Sequence, residues 1–148
     1  MHQVAGSSPV HPSMTTNEKG ATAEALAVGK LVQLGYTVLM PVGVHRYDLA
    51  VERQGQFRRV QVKYVADVDK RGTLRVRCYS VGRDSRSHPY QVNEVDAFLV
   101  YWAVGGRWYW IEAAELLKSG RRTMLHLRVR PTSNRQVSGV VDAAKYEV

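Results

Sequence analysis

The sequence predicts an α+β fold, within the broad α/β class, in which a helix packs on a central mixed β-sheet. Three observations predict it. From Asn17 to Leu34, apolar residues recur at spacings of three and four, the period of a half-buried helix. On both sides of Gln54-Gly55 the chain alternates with period 2, the mark of a β-hairpin. From Val95 to Ala103 (VDAFLVYWA) it is nearly all apolar, as a strand covered on both faces should be.

Residues 1–16 read as a disordered leader and 17–148 as one domain, with Met14 an alternative start. Thr15, Thr16 or Asn17 can cap the first helix, and Gly35 stands where a left-handed residue ends one. Ala21, Glu24, Val28 and Leu31 form its apolar stripe, so Glu24 points toward the sheet. Tyr36–Pro41 follows as a short strand stopped by its proline, and residues 43–46 form a loop. The hairpin comes next. Thr73–Cys78 alternates Leu74 and Val76 with Arg75 and Arg77, and reads as a third arm of an antiparallel meander with a basic outer face. Residues 80–91, rich in Arg, Ser and His, read as a loop. Asp96 starts the apolar strand as a turn or cap residue. Gly105-Gly106 turns the chain into the aromatic strand Arg107–Ile111, and Glu112–Lys118 is a short helix ended by Gly120. Leu125, Leu127 and Val129 alternate with His126, Arg128 and Arg130 on an edge strand, and 139–146 closes the chain as a small helix.

With 148 residues and 45% hydrophobic content the chain is long enough for a core of its own. No apolar run reaches the roughly 18 residues of a membrane span, and the N-terminus lacks the pattern of a secretory signal. A single cysteine, Cys78, excludes an internal disulfide and a Cys-built zinc site, which fits a reduced, cytoplasmic setting. His45 and His88 are isolated surface residues rather than ligands. The formal charge of +8, from 21 Lys plus Arg against 13 Asp plus Glu, favours a polyanionic partner, chiefly nucleic acid.

The hairpin carries the chemistry. If Gln54-Gly55 is a two-residue loop, Arg53 faces Gln56 and the register brings Asp48 opposite Gln61. Lys63 shares the Gln61 face, while Leu49, Val51, Val60 and Val62 fill the other. A carboxylate, an amide and an ammonium then stand together, with Glu24 across from Asp48. Hard oxygen donors suit Mg²⁺, which polarises a phosphate and acidifies a bound water. An ammonium beside it can orient that water or stabilise transition-state charge. The same residues are compatible with a non-catalytic DNA-binding module, since Gln61 weakens an anionic metal cage.

This ordered series resembles the PD-(D/E)xK nuclease superfamily, and within it the group I intron-associated endonucleases. A core-facing Glu24, Tyr47-Asp48-Leu49 and Gln61-Val62-Lys63 carry the resemblance. It continues through Val95-Asp96-Ala97-Phe98, Trp108-Tyr109-Trp110-Ile111 and Leu127-Arg128-Val129-Arg130-Pro131 with Asn134, over about residues 18–147. The resemblance implies a restriction-endonuclease-like core, a central mixed sheet flanked by helices, and Mg²⁺-dependent hydrolysis of double-stranded DNA with Mn²⁺ able to substitute. It assigns Asp48 to the metal, Gln61 and the Val62 carbonyl to the rest of its shell, Lys63 to the water, and Glu24 to support of the site or of a second metal. Gln61 stands where the superfamily has a second acid, and Tyr47 where it has proline. One such site cuts one strand, so a double-strand break calls for a homo-oligomer, a two-fold dimer or a tetramer. A Holliday-junction resolvase would keep this chemistry and change the substrate.

Overall fold

The structure, a computed structural model, describes residues 13–117, 123–130 and 140–148. Helix α1 (Thr16–Gln33) is opened by a capping box, in which the Thr15 side chain accepts from the Glu18 N–H and the Glu18 carboxylate accepts from the Thr15 N–H. It ends before Gly35, whose φ of +84° no β-carbon-bearing residue adopts cheaply. The buried stripe is Ala23, Ala27 and Leu31, which keeps the expected Leu31 and otherwise lies about one residue round from the expected positions. Ala21 is exposed, and Glu24 and Val28 are half-buried on the edge of the stripe.

Five strands form the main sheet: β1 (Thr37–Leu39), β2 (Leu49–Arg53), β3 (Gln56–Val65), β7 (Ala97–Trp102) and β8 (Arg107–Glu112), in the order β1-β2-β3-β7-β8. All neighbours are antiparallel except β3 and β7, so the sheet is mixed, as expected. The β2–β3 hairpin has the expected register, Arg53 opposite Gln56 and Leu49 opposite Val60. Gln54 (φ +54°) and Gly55 (φ +78°) both take positive φ, the geometry of the primed turn whose twist matches its strands.

The two faces of this sheet bury different partners. On one, α1 covers Leu49, Val51, Val60, Val62 and Leu99 with Ala23, Ala27 and Leu31. On the other, Phe98, Val100, Trp102, Tyr109 and Ile111 pack on Leu74, Val76, Leu125 and Leu127, which belong to β4 (Thr73–Arg77) and β9 (Met124–Arg128). Here the expected meander is corrected. Strand β4 leaves β3 and joins β9 and β10 (Val141–Asp142) in a second, three-stranded sheet. Its apolar side needs a partner face, and the Phe98 side of the main sheet is the face that α1 leaves uncovered. Its outer face is basic as expected, with Arg75 and Arg77 exposed.

Three more elements differ from expectation. Strand β9, expected at an edge, is the middle strand of the second sheet, because β4 and β10 pair with it on either side. Residues 80–91 are not a plain loop, because Tyr79–Val81 (β5) and Ser87–Pro89 (β6) pair as an antiparallel ribbon. The closing segment is β10 followed by a single 3-10 turn, Ala143–Tyr146, in place of a helix from 139. Helix α2 (Ala113–Leu116) is four residues long; Lys118 and its proposed stop Gly120 lie outside the described residues, as do the leader's first twelve residues, Pro131 and Asn134. The chain's last residues cover the outer edge of β8, where the Val148 N–H donates to the Trp108 carbonyl.

Leu31 is fully buried between α1 and the sheet. Leu31→Ala is expected to cost roughly 2–5 kcal/mol through lost burial and the cavity left behind. The shift in the urea midpoint checks it; a change within 0.5 kcal/mol (about the scatter of neutral surface changes) would mean that α1 is not anchored there.

Candidate active site

Strand β3 is twice as long as its partner. β2 pairs with Gln56–Val60, so among the described residues Gln61–Val65 has β7 on one side and an open edge on the other. That open edge is one wall of a cleft of about 630 Å³, lined by Glu24 and Lys19 of α1, by Asp48, by Gln61, Val62 and Lys63, and by Arg75, Arg77, Tyr79 and Ser80. The four side chains and the Val62 backbone singled out from sequence are thus brought together. Glu24 comes from the helix-covered side of the sheet. Gln61 and Lys63, in register with Phe98 and Val100, come from the other side. They meet only because the β3 edge between them is free.

Asp48 is half-buried just before β2. Its Oδ2 accepts from the Gln61 side-chain amide at 2.6 Å and from the Val62 N–H at 2.8 Å. Burial nevertheless pushes its carboxyl above the ordinary value, against the pull of the Val62 N–H, the Lys63 ammonium and the Gln61 amide. Burial also raises Glu24, and the nearby charge of Asp48 adds to the shift. Two carboxylates raised mainly by burial, with Asp48 adding to the rise of Glu24, stand in one cleft. A divalent cation fits that donor set. Gln61 turns its NH₂ end to Asp48, which leaves its carbonyl oxygen as a neutral donor, and the Val62 carbonyl lies along the same unpaired strand edge as its N–H. Among the described residues no group of three or more His, Cys, Asp or Glu is arranged around a metal position.

Lys63 is half-buried, its Nζ 3.4 Å from both the Tyr79 carbonyl and the Tyr90 hydroxyl and 4.7 Å from the centre of the Tyr90 ring. Burial pulls its ammonium down to about 8, while Asp48 pulls it back up. Arg46 lies over the same ring at 4.6 Å and is paired with Glu94 at 3.1 Å. Burial and the charge of Asp48 push the Tyr90 hydroxyl up to about 12, so it stays protonated. Sequence reasoning missed Tyr90, Arg46 and the arginine wall. The Arg75 and Arg77 alternation was visible, but not that β4 turns this face into the cleft.

Other residues fall outside the cleft. Asp96 forks onto Arg59, its Oδ1 2.9 Å from Nη2 and its Oδ2 3.0 Å from Nε and 2.7 Å from the Arg59 N–H, which fastens the start of β7 to β3. His45 contacts the Val42 carbonyl and His88 contacts Asp84, both on the exposed surface.

The raised carboxyls make a signed prediction. A carboxylate whose folded value is raised stabilises the fold when protonated, and that contribution is lost as pH rises through the folded value. Metal-free Asp48→Asn is therefore expected to match wild type near pH 3.5 and to melt higher than wild type at pH 7. Equal or lower melting at pH 7 in EDTA would mean that the Asp48 charge costs the fold nothing.

Comparison with known proteins bears on the fold and the family. A solved bacterial homing endonuclease, I-Ssp6803I, matches with a TM-score of 0.71 at 24% identity over 90% of this chain and 89% of that chain, a shared fold. MepB matches with a TM-score of 0.43 at 9% identity over 76% of this chain and 85% of that one. No curated protein matches the chain significantly. No helix among the described residues is long and apolar enough to cross a membrane. The PD-(D/E)XK endonuclease family profile matches residues 14–148, which include every element of the cleft, and the chain belongs to that family.

Proposed function

We propose that this chain is a Mg²⁺-dependent endonuclease of homing type that cuts double-stranded DNA as a homo-oligomer in the cytoplasm. The observation that carries this reading is the convergence of Asp48, Gln61, Lys63 and Glu24 on one arginine-walled cleft along the free edge of β3. Asp48, the Gln61 side-chain oxygen and the Val62 carbonyl would hold the metal, with Glu24 supporting them or a second ion. When bound, Mg²⁺, or Mn²⁺ in its place, polarises the scissile phosphate and makes hydroxide available near neutral pH. Lys63 holds the attacking water in line and stabilises the charge that develops on the phosphate oxygens. Arg75 and Arg77 attract the backbone without reading its sequence. The homing assignment is supported by the likeness to I-Ssp6803I and by the intron-associated pattern of Glu24, Asp48, Gln61 and Lys63. One cluster per chain supports an oligomer, since a duplex presents two strands of opposite polarity.

The neutral Gln61 favours a second reading, a DNA-binding module with little or no cleavage. Incubating supercoiled plasmid and a four-way junction in parallel with Mg²⁺, Mn²⁺ or EDTA separates the two. Metal-dependent cutting of the plasmid is expected, and no cutting with Mg²⁺-enhanced binding would mean a target sequence that the plasmid lacks. Metal-independent binding in a gel shift, with no cutting under either metal, would replace the enzyme with the binding module. Cutting confined to the four-way junction would make the chain a Holliday-junction resolvase.

A further inference from the structure

The ribbon of β5 and β6 is the part of the fold that the hydrophobic core does not explain. Among the described residues it pairs only with itself, Tyr79 opposite Pro89 and Val81 opposite Ser87. Val81, Ser87, His88 and Pro89 are exposed, so it buries no apolar face of its own. A two-stranded hairpin without such a face is marginal in water, and this one is clamped from beneath. Arg46 donates to the Ser80 hydroxyl and to the carbonyls of His88 and Pro89, with its guanidinium stacked on Tyr90 and paired to Glu94. A partly buried arginine is thus committed to holding an exposed polar ribbon at a fixed angle.

The ribbon is also continuous with the cleft. Tyr79, Ser80 and Val81 line it, and the Tyr79 carbonyl takes the Lys63 ammonium. At the far end, Arg83, Asp84, Ser85 and Arg86 are all exposed, the Arg86 side chain at 83%. The turn that carries them is ordered by hydrogen bonds from the Ser85 N–H to the Gly82 carbonyl and from the Arg86 N–H to the Asp84 carboxylate. Asp84 also contacts His88 at 3.3 Å. A two-stranded β-ribbon has the width of the DNA major groove, where arginine recognises guanine by a paired hydrogen bond and a carboxylate accepts from cytosine.

We propose that the β5–β6 ribbon enters the major groove beside the scissile phosphate and reads base edges through Arg83 and Arg86. This rests on the endonuclease reading above and adds where its sequence preference arises. Because the ribbon's first carbonyl holds Lys63, the base-reading tip and the cleft are joined by a single three-residue strand.

The test is selection of bound duplexes from a random pool by the full chain, with Ca²⁺ supplying the divalent charge, for wild type and for Arg83→Ala/Arg86→Ala. Both side chains are exposed, and an unchanged melting temperature shows that the variant is folded. Wild type is expected to enrich a defined sequence, and the variant to lose discrimination of roughly 5- to 150-fold at each base pair that an arginine reads, at positions flanking the cut. Retained preference at every position would overturn the proposal. So would a uniform loss of affinity with a shallower salt dependence, since that is the behaviour of phosphate contacts. A wild type that binds duplexes without preference also overturns it and leaves the nuclease reading standing. A wild type that neither binds nor cuts any duplex overturns both.

Discussion

Asp48→Ala is expected to abolish cleavage, by roughly a thousandfold or more, while the protein remains folded. The expectation rests on where Asp48 sits. It is the carboxylate at which the Gln61 amide, the Val62 N–H and the charge of Lys63 converge, and burial holds its proton more tightly than in water. Removing it deletes the anionic centre of the donor set and leaves Gln61 and Val62 as neutral donors that bind Mg²⁺ weakly. Two readouts should therefore fall together. Titration calorimetry with Mg²⁺ or Mn²⁺ should lose its high-affinity step, and plasmid nicking should drop to the level of the EDTA control. Glu24→Ala, which removes the half-buried carboxylate across the strand edge, should lower both by less. Cleavage retained within a few-fold in Asp48→Ala would move the chemistry out of this cleft altogether. Loss of cleavage with metal binding unchanged would keep Asp48 in the site and strip it of the ligand role.

The hairpin was legible because its register is a local property. Gln54-Gly55 forces a primed turn, and counting back from it puts Asp48 against Gln61 without knowledge of any other element. What sequence could not supply was non-local. That β2 stops pairing at Leu49 while β3 runs on to Val65 decides that the Gln61–Val65 edge is open, and an open edge makes a cleft. The partner on its other side, β7, lies more than 30 residues along the chain and pairs in parallel, a contact that no local pattern encodes. Strand β4 alternates as a meander arm would, and only the uncovered face of the main sheet sends it to β9 instead. The β5–β6 ribbon hid for the opposite reason. Its Gly, Ser, Asp and Pro content is that of a turn, and its ordering comes from Arg46, more than 30 residues earlier. For Glu24 the helix was right and the stripe was off by about one residue, so the side chain sits at the edge of the core, where a carboxylate can reach solvent and the cleft at once.

Lys63→Met is expected to separate chemistry from metal binding. The substitution keeps an unbranched side chain to pack on Tyr90 and removes the ammonium, so the fold and the Asp48 donor set stay in place. Cleavage should fall by roughly 10²- to 10⁴-fold, the range for losing a positioned proton donor or transition-state charge. The loss should appear in the single-turnover rate at saturating Mg²⁺, with affinity for the metal and for duplex DNA nearly unchanged. Stability should move the other way. Burial has lowered Lys63 to about 8, so its charged form costs the fold something at neutral pH, against the attraction of Asp48. A lysine lowered in the folded state is least favourable below its folded value and recovers as pH rises from about 8 toward the ordinary 10.5. Lys63→Met should therefore melt higher than wild type at pH 7, and the gap should close above about pH 8. An inactivating substitution that stabilises the protein marks a group held against the preference of the fold, which is how a residue kept for chemistry differs from one kept for packing. If Lys63→Met instead melts lower at pH 7 and still cuts, the ammonium over Tyr90 is a strut between β3 and the ribbon, and the water must be positioned from elsewhere in the cleft.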